Sequence, residues 1–198
     1  MKHISLIVFL LTTFSAFSQG RNWTIETAKD GKTTVKYELV KEKQGTHFYY
    51  IAQTTTNASL TELDAYFSSS ANHKRFLEAT PQSEEVKKLS DDEWITYYYF
   101  NAPWPMADSD VVAKINRTKK DNKLVFTANA ISNDYKKTDL DRVTSYKFMY
   151  EFEKVSDETT KITITADYIP VGSVPNFLIK AWFPQGPANI VTKLGSME

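Results

Sequence analysis

The sequence predicts an α+β fold in which one long, curved antiparallel sheet is closed by a C-terminal helix. Between residues 33 and 168, apolar side chains recur mainly at every second position, which is the period of a half-buried strand. After Gly172 the period changes to about 3.6, which is that of a helix. With 198 residues, of which 41% are hydrophobic, the chain can form one sizeable core and is short for two domains. We therefore expect a single domain.

Composition excludes several function classes. Lysine and arginine together number 24, as do aspartate and glutamate, so no net charge would hold the chain on nucleic-acid phosphates. We therefore expect no nucleic-acid partner. The chain has no cysteine, which excludes disulfides, thiolate metal sites and cysteine nucleophiles.

Residues 1–18 have the pattern of a signal peptide. Lys2 gives a positively charged start, Ile4 to Leu11 form an apolar run, and Ala16-Phe17-Ser18 places small residues where a signal peptidase reads. The run is well short of the roughly 20 residues that span a bilayer. We expect cleavage to leave one domain over residues 19–198, exported to the periplasm or secreted. The alternative is an uncleaved N-terminal anchor.

The mature chain begins with a predicted β-hairpin. Thr33 to Val40 alternates apolar and polar side chains, and His47 to Thr56 is rich in β-branched and aromatic residues. The segment between them, Lys41 to Gly45, is polar and ends in glycine, as hairpin connections do.

A helix is predicted next. Ser59 and Glu62 have the spacing of a capping box, and apolar residues then recur at helical spacing to Phe67. This pattern indicates a helix over about residues 60–69. Residues 71–77 are expected to add a second short turn of helix.

Strand patterns then resume and continue to residue 168. The predicted strands cover residues 84–89, 93–101, 111–116, 124–130, 146–153 and 162–168. The last two form the clearest hairpin, because one face is apolar and the other carries charged residues and threonine.

The C-terminal segment is predicted to be a broken helix. Ser173 can cap its start, with Pro175 in the first turn. Its apolar stripe consists of Phe177, Leu178, Ala181 and Trp182. Proline removes a backbone donor and clashes with the preceding turn, so residues 184–187 interrupt the helix. A second helical piece is expected over residues 187–194.

A curved sheet under a single helix can enclose more volume than its side chains fill. Five alanines on the inward faces would provide this space: Ala113, Ala128, Ala130, Ala166 and Ala181. The residues predicted to line the cavity and bind a ligand are Tyr98, Phe126, Phe148, Tyr150, Tyr168, Phe177, Ala181 and Trp182. The alternative is an ordinary filled core, because alternating aromatic residues also serve packing.

Two segments carry motifs of a known family. Residues 103–112 read Pro-Trp-Pro-Met-Ala-Asp-Ser-Asp-Val-Val, and residues 172–180 read Gly-Ser-Val-Pro-Asn-Phe-Leu-Ile-Lys. They resemble the central proline-rich turn and the start of the long C-terminal helix of StAR-related lipid-transfer (START) domains. The order of elements agrees over residues 23–195. The resemblance implies the helix-grip fold of the Bet v 1-like (SRPBCC) superfamily, with a hydrophobic cavity that holds a lipid or a similar apolar molecule.

One position departs from the family pattern. The arginine commonly found in the central motif is replaced by Ser109, whereas Asp108 and Asp110 remain. If relatives pair that arginine with a carboxylate, another group has to pair with the carboxylate in this chain.

Candidate catalytic groups are few. Beyond residue 18 the histidines are His47 and His73, which is little material for a histidine metal site or a Ser-His-Asp triad. Asp108 and Asp110 could converge on a cation, but aspartate also caps turns at the entry to a strand. We predict no catalytic residue, no metal site and no cofactor.

Three function classes are consistent with these patterns. We favour a non-enzymatic carrier of a lipid or another hydrophobic molecule, which exchanges its ligand by movement at the break over residues 184–187. One alternative is a cyclase- or aromatase-type enzyme of the same superfamily. The other is an interaction module with a vestigial cavity, in which Trp182 and Phe183 form an exposed docking patch. The expected partners are the apolar ligand and, transiently, a membrane, and the expected state is a monomer.

Overall fold

The computed structural model describes residues 20–136 and 139–197, so the predicted signal peptide lies outside the described residues. Ten strands of the described chain form one sheet. They are β1 (Thr24–Thr27), β2 (Thr34–Glu42), β3 (Gly45–Thr56), β4 (Gln82–Lys88), β5 (Glu93–Phe100), β6 (Ser109–Lys120), β7 (Lys123–Ala130), β8 (Asp141–Arg142), β9 (Tyr146–Lys154) and β10 (Thr160–Tyr168). Their order is β1-β2-β3-β10-β9-β7-β6-β5-β4, with β8 paired to β6. Only the β6–β8 pair is parallel among these strands.

The helices of the described ranges lie in two groups, one early and one at the C-terminus. They are α1 (Leu60–Phe67), a 3₁₀ turn (Ser70–Asn72), α2 (His73–Phe76), α3 (Asn176–Trp182) and α4 (Gln185–Ser196). Together with the sheet they confirm the predicted α+β architecture. None of the helices described here has the length and apolar character needed to cross a membrane.

The predicted strands correspond to β2–β7, β9 and β10, with shifts of a few residues at their ends. The alternation of apolar and polar side chains predicted these strands because one face of each strand is buried. In the β9–β10 hairpin, Phe152 lies opposite Ile162 and Phe148 opposite Ala166, and all four side chains are buried. Strands β1 and β8 were not predicted, because all four residues of β1 are exposed and β8 has only two residues.

Helix α1 begins at the predicted capping box. The Ser59 hydroxyl accepts a hydrogen bond from the Glu62 amide at 3.2 Å, and the Glu62 carboxylate accepts one from the Ser59 amide at 2.8 Å. The helix then packs its apolar face on the sheet. The Phe67 ring lies 4.3 Å from the Phe126 ring and 4.6 Å from that of Tyr150, measured between centroids.

Helix α2 contributes a buried histidine to the same half of the core. The His73 Nε2 atom donates to the Phe67 carbonyl at 2.7 Å, so in the neutral ring Nδ1 accepts from the Tyr98 hydroxyl, also at 2.7 Å. Burial lowers the pKa of His73 to about 4. The side chain is therefore a neutral link between α2 and β5 at ordinary pH.

The C-terminal helices differ in detail from the prediction. Helix α3 has Pro175 at its N-cap and no side-chain cap, so Ser173 does not have the predicted capping role. The break falls at residues 183–184, and Pro187 lies within the first turn of α4, where a missing N–H leaves no bond unmade. At its other end α4 lies against β3, and the Thr56 hydroxyl donates to the Gly195 carbonyl at 2.7 Å.

The structure shows how the two aspartates of the central motif are paired. Asp110 is 1% exposed, and its two carboxylate oxygens accept hydrogen bonds from Nε and Nη2 of Arg142, each at 2.8 Å. The partner arginine comes from β8, where it lies directly across from Asp110 in the parallel ladder. Asp108 instead accepts hydrogen bonds from the Tyr99 hydroxyl and the Ala102 amide. Both carboxylates of the Asp-x-Asp pattern therefore already accept hydrogen bonds within the protein.

We predict that Arg142→Ala lowers the free energy of unfolding by about 3 kcal/mol, because it leaves the buried Asp110 charge without its partner. The control is Lys88→Ala, which breaks the exposed Lys88–Asp91 pair and should cause no measurable change. Urea unfolding monitored by tryptophan fluorescence measures the free energy of unfolding of both variants. Equal, small effects of the two substitutions would contradict the assigned role of Arg142.

Candidate functional site

A cavity of about 380 Å³ lies between the sheet and helix α3. It is at the end of the sheet where β9 begins and β10 ends, and the loops after α2, β5 and β10 complete its walls. The sheet contributes Phe48, Tyr50, Phe100, Ser109, Tyr146, Phe148 and Tyr168. Loops and helices contribute Leu77, Glu78, Ala79, Thr80, Ala102, Pro103, Met106, Ala107, Val143, Pro170, Val171, Val174, Leu178, Ile179, Ala181, Trp182 and Ile190. The lining is therefore mainly apolar and aromatic.

Trp182 lines the cavity from the side of the C-terminal helices, and Phe183 packs beside it with 4.7 Å between ring centroids. Phe183 is 7% exposed and stacks on Tyr37, with 4.3 Å between ring centroids. The Trp182 ring packs against Phe48 and Tyr50 at centroid distances of 6.2 and 5.8 Å. These residues thus face the core, and they do not form the exposed docking patch considered from the sequence.

Glu78 joins the loop after α2 to both C-terminal helices. One carboxylate oxygen accepts from Trp182 Nε1 at 2.9 Å, and the other accepts from Asn189 Nδ2 at 2.8 Å. Asn189 is in turn held by Gln185, whose side-chain amide donates to it at 2.7 Å. The position of the Trp182 ring in the cavity wall is therefore fixed by a charge-assisted hydrogen bond.

The position of the Trp182 indole requires a glycine at position 186. A Cβ atom at position 186 would lie 2.0 Å from Trp182 Nε1 and 2.3 Å from its Cδ1, far inside van der Waals contact. Any larger residue at this position would push the indole away from Glu78.

The aromatic wall of the cavity includes Phe148 and three tyrosines, Tyr50, Tyr146 and Tyr168. Burial raises the pKa of all three hydroxyls above the ordinary value. They remain protonated, so they can donate hydrogen bonds to a ligand and cannot serve as bases near neutral pH.

The structure places the eight predicted ligand-binding residues in three different environments. Phe148, Tyr168, Ala181 and Trp182 line the cavity. Tyr98, Phe126 and Tyr150 lie in the filled part of the core, and Phe177 is 61% exposed on α3. Contact between any of these residues and a ligand remains a prediction.

Helices α1 and α2 explain why three of the predicted residues do not line the cavity. Phe67 occupies the space over Phe126 and Tyr150, and His73 occupies that over Tyr98. The prediction treated the C-terminal helix as the single cover of the sheet. The space-making alanines follow the same division: Ala113, Ala128 and Ala166 are buried in the core, Ala130 packs against it, and Ala181 lines the cavity.

Several cavity residues were missed. Phe48 and Tyr50 lie on β3 with the alternation that the hairpin pattern already showed, so this signal was available. Pro103, Met106 and Ala107 belong to the central motif, but the motif did not indicate that they line the cavity. Nothing in the sequence near Glu78 indicates its role, because its partners are more than 100 positions away.

The two histidines among the described residues both have structural partners. His73 is bonded within the core, and His47 lies 2.6 Å from Asp167 and 2.9 Å from Glu42, measured between ring nitrogens and carboxylate oxygens. Among the residues described, no group of three histidine or carboxylate side chains could hold a metal ion.

Comparisons with known proteins agree with this architecture. No family model matches the sequence. An uncharacterized protein of Pseudomonas aeruginosa is 22% identical over 177 residues, covering 88% of this chain and 86% of that protein. The STAR-related lipid transfer protein of Xanthomonas axonopodis has a similar structure, with a TM-score of 0.70 at 18% identity over 88% of this chain and 97% of that chain.

Two further structures extend the comparison. Human STARD10 gives a TM-score of 0.71 at 15% identity, covering 91% of this chain and 76% of that chain. The Zhui aromatase/cyclase of Streptomyces sp. R1128 gives 0.54 at 9% identity, covering 76% of this chain and 93% of that chain. The chain therefore has the helix-grip fold of START domains.

Proposed function

We propose that this protein binds a lipid or another hydrophobic small molecule in the cavity under α3 and passes it on without chemical change. The cavity itself is the observation that carries the proposal. Its volume is within the range of about 300–1,000 Å³ typical of ligand sites, and its walls are mainly apolar. Burial of hydrophobic surface would supply most of the affinity.

Comparison with solved structures supports a carrier and leaves an enzyme as the alternative. The Xanthomonas and human proteins of similar structure are named as lipid-transfer or START-type proteins, whereas the Streptomyces protein is named as an aromatase/cyclase. An enzyme of the latter kind would need an acid or base at the substrate. In this cavity the tyrosine hydroxyls stay protonated, and the Glu78 oxygens already accept two hydrogen bonds.

We predict that Leu178→Trp weakens ligand binding about tenfold or more, because the larger side chain fills part of the cavity from α3. A ligand forced to share this space meets a packing penalty of about 1–3 kcal/mol. Lys180→Trp, on the exposed side of the same helix, is the matched control and should bind normally. Native mass spectrometry after incubation with a mixed lipid extract measures both. An adduct of equal stoichiometry in the two variants would argue against this cavity as the binding site.

Transfer would require contact with a membrane, and two exposed aromatic residues flank the cavity. Trp104 is 88% exposed in the loop that contributes Pro103 and Met106 to the wall, and Phe177 is 61% exposed beside Leu178. Large aromatic side chains favour the interface between lipid and water. We propose that these two side chains enter the membrane surface during exchange.

The expected result is that replacing both Trp104 and Phe177 by alanine lowers vesicle association and ligand transfer severalfold while binding in the cavity is kept. Val155→Ala is the control, because Val155 is 62% exposed at the opposite end of the β9–β10 hairpin. Vesicle co-sedimentation and a transfer assay between donor and acceptor vesicles give the readouts. Transfer that persists at the normal rate in the double variant would exclude this contact.

We also propose export, from the sequence of residues 1–18 alone. The expected product is a soluble monomer that begins at Gln19. N-terminal sequencing and size-exclusion chromatography of protein recovered from the periplasm or the medium test this directly. A membrane-bound product that begins at Met1 would favour the uncleaved anchor instead.

A further inference from the structure

A basic depression lies on the surface beside the cavity. Lys74 and Arg75 of α2 and Lys193 of α4 line it, and all three residues are exposed. None of the three forms an ion pair with another described residue. Because like charges repel, their convergence from two helices costs free energy that an anionic partner would offset.

Glu78 is the single acidic residue that lines the basic depression in the described part of the chain. Its charge is already engaged, because one carboxylate oxygen accepts from Trp182 and the other from Asn189. The other lining residues are uncharged, namely Leu77, Ala79, Thr80, Pro81 and Asn101. A partner at this surface therefore meets mainly positive charge.

The floor of the basic depression is shared with the cavity, since residues 77–80 line both. Hydrogen bonds fix this floor: the Lys74 amide donates to the Ser83 hydroxyl and the Asn101 amide to the Ala79 carbonyl, each at 2.8 Å. Asn101 is also three residues from the exposed Trp104, a span of at most about 11 Å. A membrane that contacts Trp104 would therefore lie close to the basic depression.

Building on the proposed function, we infer that the basic depression docks on the headgroups of an anionic membrane and brings the rim of the cavity against the bilayer. Each cation near such a surface strengthens binding about fivefold. The whole chain has equal numbers of basic and acidic residues, so its net charge supplies no such attraction. The attraction is local to this face, and it orients the protein as well as holding it.

The test is co-sedimentation of the mature protein with vesicles of phosphatidylcholine alone and of an equal mixture of phosphatidylcholine and phosphatidylglycerol. Lys74→Gln combined with Lys193→Gln should weaken binding to the mixed vesicles about tenfold or more and leave binding to phosphatidylcholine unchanged. The matched control, Lys119→Gln with Lys120→Gln, changes the net charge equally. It lies in an exposed turn at the other end of the sheet from Asn101 and should bind normally.

Two solution conditions test the electrostatic origin of the binding. Raising NaCl from about 0.1 M to about 1 M should remove the preference for mixed vesicles, because the Debye length falls from about 10 Å to about 3 Å. Sodium phosphate should compete no better than NaCl of the same ionic strength. Displacement by phosphate alone would indicate a site for a free phosphate ion and would overturn docking on a membrane.

The variants also have to remain folded for the comparison to hold. Both lysines are exposed and unpaired, so the Tm should not change. If the double variant is unstable, Lys193→Gln alone should still weaken binding to mixed vesicles about fivefold.

The remaining outcomes separate this inference from the proposed function. Equal binding of the unmodified protein to the two kinds of vesicle, or equal weakening by the two pairs of substitutions, would overturn the inference. The proposed function would still stand if a lipid adduct forms in the cavity and is lost in Leu178→Trp. Conversely, binding to mixed vesicles through Lys74 and Lys193 without any adduct would support the docking site and overturn the carrier.

Discussion

The need to bury one whole face of a single antiparallel sheet governs the rest of this structure. The strands of the β9–β10 hairpin and their neighbours present a continuous aromatic and aliphatic surface, which has to be covered in water. Helices α1 and α2 cover one half with large side chains that fill it. Over the other half, α3 spans from the sheet end to the break at Pro184 and leaves a space. The cavity is thus the part of the sheet face that the helices do not fill.

Because the cavity is defined by what covers it, the sequence predicted its walls only in part. Alternation shows which side chains of a strand face inward, and it placed Phe148 and Tyr168 correctly on the inner face. It cannot show which helix packs above each one, so Tyr98 and Tyr150 were grouped with them although α1 and α2 lie there. Strand and helix patterns are local, so they predicted the elements in chain order. The helix-grip architecture came from the resemblance of the two motifs, and the order of the strands in the sheet was not predicted.

Interactions between distant parts of the chain were beyond reach of the sequence for the same reason. The Asp110–Arg142 pair depends on a two-residue strand that has no periodicity of its own. The Glu78–Trp182 hydrogen bond depends on the meeting of two loops and helices that are far apart in the chain. Both pairs tie a short irregular segment to the sheet or to the helices, and local patterns carry no information about such contacts.

The close approach of Gly186 to Trp182 has a consequence for how chains of this kind can diverge. Since a Cβ at position 186 would overlap the indole, the two positions cannot vary independently. A descendant that acquires a larger residue at 186 has to accept a smaller one at 182, and it then loses the donor to Glu78 and widens the cavity. The cost to packing and the gain in ligand space are thereby coupled across the break between α3 and α4, so a change of ligand size at this wall involves both positions together.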